Sequence, residues 1–444
     1  MASTILTRTN TSTGNNKILT WSGWVKRSDS STGQLIMANG DPGSSNYIIF
    51  FEFAGSALRF IIKSLSILAN VETNAVFRDT SAWYHLVFNM DTTQATASDR
   101  VKMYVNGEQI TSFATASYPS QNLGTQFNNA DSVTSVGGKA VTGANTDFFN
   151  GYMSHVHCID GTIYGPSTFG EVDSTTGQWK IKTSPSVTYG TNGFFILKDG
   201  NSVTDQSGNG NNLTVGGGTL TNTEDSPSNV FATMNPLDNY YAGATFEHGN
   251  TEVITTQSAY TYCTSTLKMG SGKYYIEGKW TGTGGGNSGV GIVNTSSTAT
   301  SNEMTAKANG SVITDSGLVY ANGSSTGTNL GSFSVNDIVM IAFDGGNNAI
   351  YYGKNGTWLN SGDPTSGASK TGAFTPSSTT GLDYFIGFGD QNSSFSYRIE
   401  FNFGNGFFAT TAVASAGTNA SGNGIFEYDV PTGYTALSTK GLNL

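Results

Sequence analysis

Helical periodicity is nearly absent from this chain of 444 residues. In its place, short runs of β-branched and aromatic residues recur, each cut off by Gly, Asn, Asp or Ser. Runs of this length between turn formers suit strands rather than packed helices. The expected fold is all-β, as two tandem antiparallel β-sandwiches. Strand candidates in the first half are Leu19–Lys26, Tyr47–Phe53, Ala57–Lys63, Trp83–Asp91, Val101–Val105 and Phe148–Cys158. Asn106-Gly107 follows the fifth of them, a pair that tolerates positive φ and closes hairpins. In the second half the candidates are Lys273–Trp280, Gly289–Val293, Ile338–Asp344, Ala349–Tyr352, Tyr384–Gly389 and Tyr397–Phe403. The unbroken apolar run IVMIAFD at Ile338–Asp344 predicts a strand buried on both faces.

Only 12% of the residues are charged, with 36% hydrophobic, 12% aromatic and 57 glycines. Ordinary globular chains carry about 25% charged residues. Ser, Thr, Asn and Gly replace the missing charge, as a protein of short strands and many turns requires. The net charge is -10. An acidic surface without a basic run repels phosphate backbones, so nucleic acid is not an expected partner. No apolar segment follows Met1 and no run is long enough to span a bilayer, so neither a signal peptide nor membrane insertion is expected. The polar stretch Asp205–Asn212 (DQSGNGNN), the glycines Gly216–Gly218 and the prolines Pro227 and Pro236 place an extended linker at 207–239. It divides a first domain, 1–206, from a second, 240–444. The two halves show no repeat of each other.

A search for chemistry finds little. His155 and His157 alternate in one strand and would share a face, as an ordinary sheet-face pair rather than a metal site. Cys158 would point to the opposite face, and it and Cys263 are expected as buried free thiols. Asp205–Asn212 has some calcium-loop character, but Ser and Gly stand at key ligand positions and no closing Glu follows. A glycosidase needs two carboxyl groups flanking one bond. Glu52, Glu277 and Glu400 each stand alone in their strands. There is no phosphate-binding loop and no nucleophile elbow. The expectation is a protein without catalysis, metal or cofactor. Aromatic residues beside loops are the better clue. Trp358 follows the Asn355-Gly356 turn, Tyr320 lies beside Asn322, and Asp390-Gln391 follows the strand Tyr384–Gly389. Aromatic faces combined with amides and acids can hold sugars or peptides. Tyr320, Asn322, Trp358, Asp390 and Gln391 are the candidate ligand-binding residues.

Four segments of the first half, LTWSGWVKRS (Leu19–Ser28), WYHLVFNMD (Trp83–Asp91), VKMYVNGE (Val101–Glu108) and FNGYMSHVHCIDG (Phe149–Gly161), resemble the concanavalin A-like, laminin-G-type sandwich. GKYYIEGKW, GVGIVN, VNDIVMIAFDGGNNAIYYGKNGTW and YRIEFNFGN in the second half resemble a SPRY domain, a sandwich that presents a binding face built from its loops. The final FEYDVPTGYTAL resembles the tail that closes such domains in phage proteins. The pairing of the two, through EVDSTTGQWK, YGTNGFFILK, DQSGNGNN and TEDSPSNVFATMNPLD, resembles surface proteins of marine tailed bacteriophages. The resemblance implies a non-catalytic virion surface protein, a tail fibre or tail-associated adhesin that binds a host-surface glycan or protein. A capsid decoration or collar protein is the alternative, and a glycan depolymerase a second one. It implies other virion proteins as partners, a homo-oligomer such as a trimer or higher ring, and assembly in the host cytoplasm with release by lysis.

Overall fold

The computed structural model describes residues 3–30, 33–40, 48–140, 142, 144–174, 177–182, 184–198, 202–241, 243–255, 260–284, 288–294, 304–306, 309–376, 384–391 and 395–443. Tyr47, the first residue of one expected strand, lies outside them. The chain divides into two compact units, Met1–Asn222 and Thr223–Leu444. Within the 207–239 stretch, Thr214–Gly217 pairs with Ile5–Thr9 at the edge of a sheet in the first unit. Met234–Tyr241 is an edge strand of the second. Helix is confined, among the described residues, to short segments of 3-10 type, of which Pro364–Ser369, kinked at Gly367, has six residues.

The first unit is a sandwich. Its larger sheet has the strand order Phe113–Ser117, Ile67–Val76, Ala57–Lys63, Ile48–Ala54, Gln34–Gly40, Val133–Val136, Ile5–Thr9 and Thr214–Gly217. The facing sheet runs Phe194–Ile196, Gly151–Asp160, Ile18–Arg27, Trp83–Asp91, Val101–Val105 and Glu108–Gln109. All of these neighbours are antiparallel, both hairpin partners such as Ile48–Ala54 with Ala57–Lys63 and strands far apart in sequence such as Ile18–Arg27 with Gly151–Asp160. Period-2 alternation sends Leu19, Trp21 and Val25 into the core between the sheets, together with Leu86, Phe88 and Met90 of the neighbouring strand. Trp21 is fully buried, its ring 6.3 Å from Phe51 and 5.9 Å from Phe88. Val87, Ile159 and Phe195 point the other way. A second apolar cluster covers them with Phe169 and Tyr189, so part of the six-stranded sheet is buried on both faces.

The histidine pair lies where the alternation breaks. The register with Ile18–Arg27 slips between Ser154 and His157, and His155 takes a left-handed φ of 49°. Both rings still contact Phe195, at 5.9 and 3.9 Å. His157 is buried and bonds through Nδ1 to the Tyr189 hydroxyl at 2.8 Å. Burial holds its pKa well below the usual value, so the ring is neutral. Cys158 projects into the main core, and both cysteines are buried and free. Asp205 is the hub of its loop. Its carboxylate accepts the N–H of Phe195, Ser207 and Asn211 and the hydroxyl of Ser207. Four donors already use the oxygens that calcium would need.

The second unit is another sandwich. One sheet has the order Met234–Tyr241, Thr261–Ser265, Tyr384–Asp390, Ser288–Asn294, Ser311–Thr314, Leu318–Ala321 and Ser324–Asn329. The other has Thr245–Glu247, Glu252–Ile254, Arg398–Asn402, Lys273–Gly282, Ile338–Asp344, Ala349–Lys354 and Thr357–Trp358, with Thr435–Ala436 added in parallel beside Lys273–Gly282. The run Ile338–Asp344 is buried along its whole length. Val339, Ile341 and Phe343 face the inter-sheet core, while Met340 and Ala342 face a second cluster on the outer side. That outer cluster is built from the C-terminal tail: Phe426, Val430 and Tyr434 lie with Tyr275 and Tyr351.

Candidate binding site

The register of the second unit fixes where the five candidates lie. Ser288 pairs with Asp390, and Ser311 pairs with Ala321. Asp390 and Gln391 therefore sit at one end of the seven-stranded sheet and Asn322 at the other. Tyr320 is half-buried between Val312 and Ser325; its neighbour Val319 faces the core, so Tyr320 lies on the outer face. Asn322 is exposed in a left-handed turn, φ 55°, with its amide 3.5 Å from the Thr375 carbonyl. Trp358 belongs to the other sheet. It is half-buried rather than exposed, packed edge-on against Tyr275 at 6.2 Å beside the tail cluster. The structure therefore does not gather the five residues into one site.

Asp390 and Gln391 do belong to a shared polar setting. Gln391 is half-buried and donates to the Thr305 hydroxyl at 2.6 Å. Asp390 is 1% exposed and ends the inward row Ile386, Phe388, Asp390. Alternation aims its carboxylate between the sheets, over Phe388 and Trp280, whose rings are 5.8 Å apart. Its register neighbours are Thr261 on one side and Ser288 on the other. These continue the inward rows that hold Cys263 and Val290. Next to Ser288, the Asp315 N–H donates to the Ser288 carbonyl at 3.0 Å, and the Asp315 carboxylate accepts the N–H of Ser288 and Gly284 at 3.3 Å. Tyr397 closes the back, its hydroxyl donating to the Gly284 carbonyl at 2.7 Å. Burial raises the Asp390 pKa to about 6; the nearby Thr255 and Thr261 hydroxyls offset part of that rise without reaching hydrogen-bond geometry. Thr261, Ser288 and Asp315 were not singled out from the sequence. Their signal is a polar residue in the period-2 slot where a core residue belongs.

A second charged group lies on the other sheet. Glu252 is buried and receives Arg398 Nε at 2.5 Å and His248 Nε2 at 3.1 Å. Glu247 lies 3.8 Å from Arg398 Nη2. Glu247, His248 and Glu252 bring three ligand atoms within 4.8 Å of one another. The guanidinium stands between the two carboxylates and supplies the positive charge a metal ion would bring. The hydrogen bond to Glu252 raises the His248 pKa against the burial that lowers it.

Comparison with known families decides the type of both units. Residues 2–164 match the concanavalin A-like lectin/glucanases superfamily, and residues 273–408 match the SPRY domain. The chain carries a concanavalin A-like domain followed by a SPRY domain. Similar solved structures include the SPRY domain of human HERC1 (14% identity, 38% of this chain, 96% of that chain, TM-score 0.31). Others are domains LG4-5 of the mouse laminin α1 chain (11%, 90% and 84%, 0.30) and the CBM40 domain of a Ruminococcus gnavus sialidase with bound sialyllactose (14%, 33% and 85%, 0.25). No curated protein matches the chain. The Asp390 end, the Tyr320 strand and the Trp358 hairpin all fall within the SPRY half. The first family includes lectins as well as glucanases, and both domain types are β-sandwiches that suggest a binding role.

Proposed function

We propose that this chain is a non-catalytic surface protein of a tailed phage virion, a tail fibre or tail-associated adhesin that binds a host-surface glycan or protein. The observation that carries the binding role is the tandem of two recognition-type sandwiches, concanavalin A-like and then SPRY. The phage setting is supported by the sequence resemblance of the connecting segments, above all TEDSPSNVFATMNPLD. A surface poor in charge and rich in hydroxyls and amides suits glycan contact, where hydrogen bonds and aromatic stacking share the work. Symmetric copies on the particle would multiply weak single contacts.

The test is immunogold labelling of purified virions with an antibody raised against this chain. Label at the tail tip or on fibres is the expected result. Label spread over the head would replace the adhesin by a capsid decoration protein. Label on no particle would remove the virion reading and leave a lectin-like protein. Release of reducing ends from host polysaccharide would overturn the non-catalytic part.

A further inference from the structure

We propose that Asp390, Ser288 and Thr261 form an oxygen-lined cation site at the mouth of the SPRY sandwich. The three residues stand in one register row across three adjacent strands, Thr261 to Asp390 to Ser288. Each continues an inward-facing row, so alternation points all three side chains toward the space between the sheets. Thr261 and Ser288 are fully buried and Asp390 is 1% exposed. Among the described residues, four oxygens, Asp390 Oδ1 and Oδ2, Thr261 Oγ1 and Ser288 Oγ, have no hydrogen-bond partner in good geometry, although Thr255 and Thr261 lie close enough to act on the carboxylate.

Buried polar atoms are almost always paired, and a buried charge is paired or bound to a metal. Here a buried carboxylate lies between two buried hydroxyls in one register row, with no cationic side chain among the described residues to balance it. Among the described residues Asp390 takes part in no ion pair; the groups acting on it are threonine hydroxyls and main-chain amides. That contrasts with the other buried acids of this domain. Glu252 has Arg398, and Glu277 accepts four hydrogen bonds. A set made only of oxygen, with one formal charge, selects a hard cation rather than zinc or copper. Calcium takes about six to eight oxygens, mixing carboxylate, neutral oxygens and water. The Asp390 row offers up to four, and water completes the shell.

The inference does not depend on the virion reading and is tested on the intact chain. The probes are calcium, and terbium excited through tryptophan; Trp280 packs on Phe388, two residues from Asp390 on the same face. At neutral pH, millimolar calcium is expected to raise a thermal midpoint by several degrees over EDTA, since a ligand that binds only the folded state stabilises it. Terbium should give sensitised emission that calcium competes away. Asp390→Asn should lose both responses and, in EDTA, unfold no earlier than the wild type, because it removes a buried charge that no cationic side chain among the described residues offsets. If that variant does not fold, Ser288→Ala serves instead, with an about tenfold weaker terbium titration. Glu252→Gln should leave both responses intact. The proposal fails if the wild type answers neither ion. It also fails if Asp390→Asn or Ser288→Ala keeps the full response, or if Glu252→Gln alone abolishes it.

Discussion

Two aromatic side chains show how one residue's surroundings decide its role. His85 is buried with both ring nitrogens engaged: Trp179 Nε1 donates to Nδ1 at 3.0 Å, and Nε2 lies 2.9 Å from Ser22 Oγ. An indole can only donate, so Nδ1 accepts and the proton sits on Nε2. Burial lowers the pKa to about 3. The ring should stay neutral from pH 5 to 8, and nitrogen-detected NMR should show a fixed Nε2–H tautomer with no titration across that range. Trp358 is a less complete case. Its edge-on contact with Tyr275 and half-burial predict that Trp358→Ala loses about 2 kcal/mol, less than a core tryptophan. Urea unfolding measures this. A loss near zero would return Trp358 to the free surface.

Glu277 links a residue to an element. It is fully buried and accepts from the Tyr275 hydroxyl, the Asn402 amide and the main-chain N–H of Glu427 and Tyr428. The last two donors belong to the C-terminal tail, so one carboxylate ties that tail to the sheet. Burial outweighs these bonds and raises its pKa to about 7, from an ordinary value of 4.5. The folded state thus holds a proton that the unfolded state releases between those values. Stability is therefore lost as pH rises from about 4.5 through about 7. Glu277→Gln should flatten that slope, read as thermal midpoints at pH 5.5 and 7.5, while costing stability at both because the amide cannot accept at all the same positions.

Turns carry similar detail. Asn106-Gly107 closes its hairpin with φ of 49° and 89°, as the dipeptide predicts. Gly107 has a further constraint, invisible in the dipeptide: an added Cβ would lie 2.7 Å from the Trp179 ring. Gly107→Ala should cost about 1–3 kcal/mol, from left-handed backbone and from the ring it displaces. The tautomer signal of His85 should shift with it. Strands were legible wherever a run was apolar and bounded by turn formers, as at Ile338–Asp344 and Trp83–Asp91. What escaped was set by distant partners. The strand Thr214–Gly217 is short, largely exposed and half glycine, and only Ile5–Thr9, some two hundred residues earlier, makes it a strand. The slip at His155 depends on the register with Ile18–Arg27. Tyr320 and Asp390 were named from loop context, which cannot say at which end of a sheet a loop falls. Asp390 joins Ser288 and Thr261 only because strands from three parts of the sequence meet in register.

At the scale of the whole chain, the organising fact is two separate hydrophobic cores. One is centred on Trp21, Phe51 and Phe88, the other on Trp280, Phe388 and Phe401. All members of the first come from Met1–Asn222 and all members of the second from Thr223–Leu444. Each sandwich includes strands that lie outside the family matches. Thr214–Gly217 flanks Ile5–Thr9 well beyond residue 164, and Thr435–Ala436 joins Lys273–Gly282 well beyond residue 408. Each fold is therefore completed by chain outside the matched residues. This predicts where the chain can be cut. Fragments 1–222 and 223–444 should each unfold cooperatively, because each keeps its whole core. A fragment ending at 206 should be less stable than 1–222, having lost an edge strand and the Arg8–Asn211 hydrogen bond. A fragment ending at 408 should fare worse. It loses Phe426, Val430 and Tyr434, exposing Tyr275 and Tyr351 and leaving Glu277 with two unfilled acceptor positions. Circular dichroism melts of the four fragments decide the matter: if the fragment ending at 408 melts like 223–444, the tail is an appendage and not part of the fold.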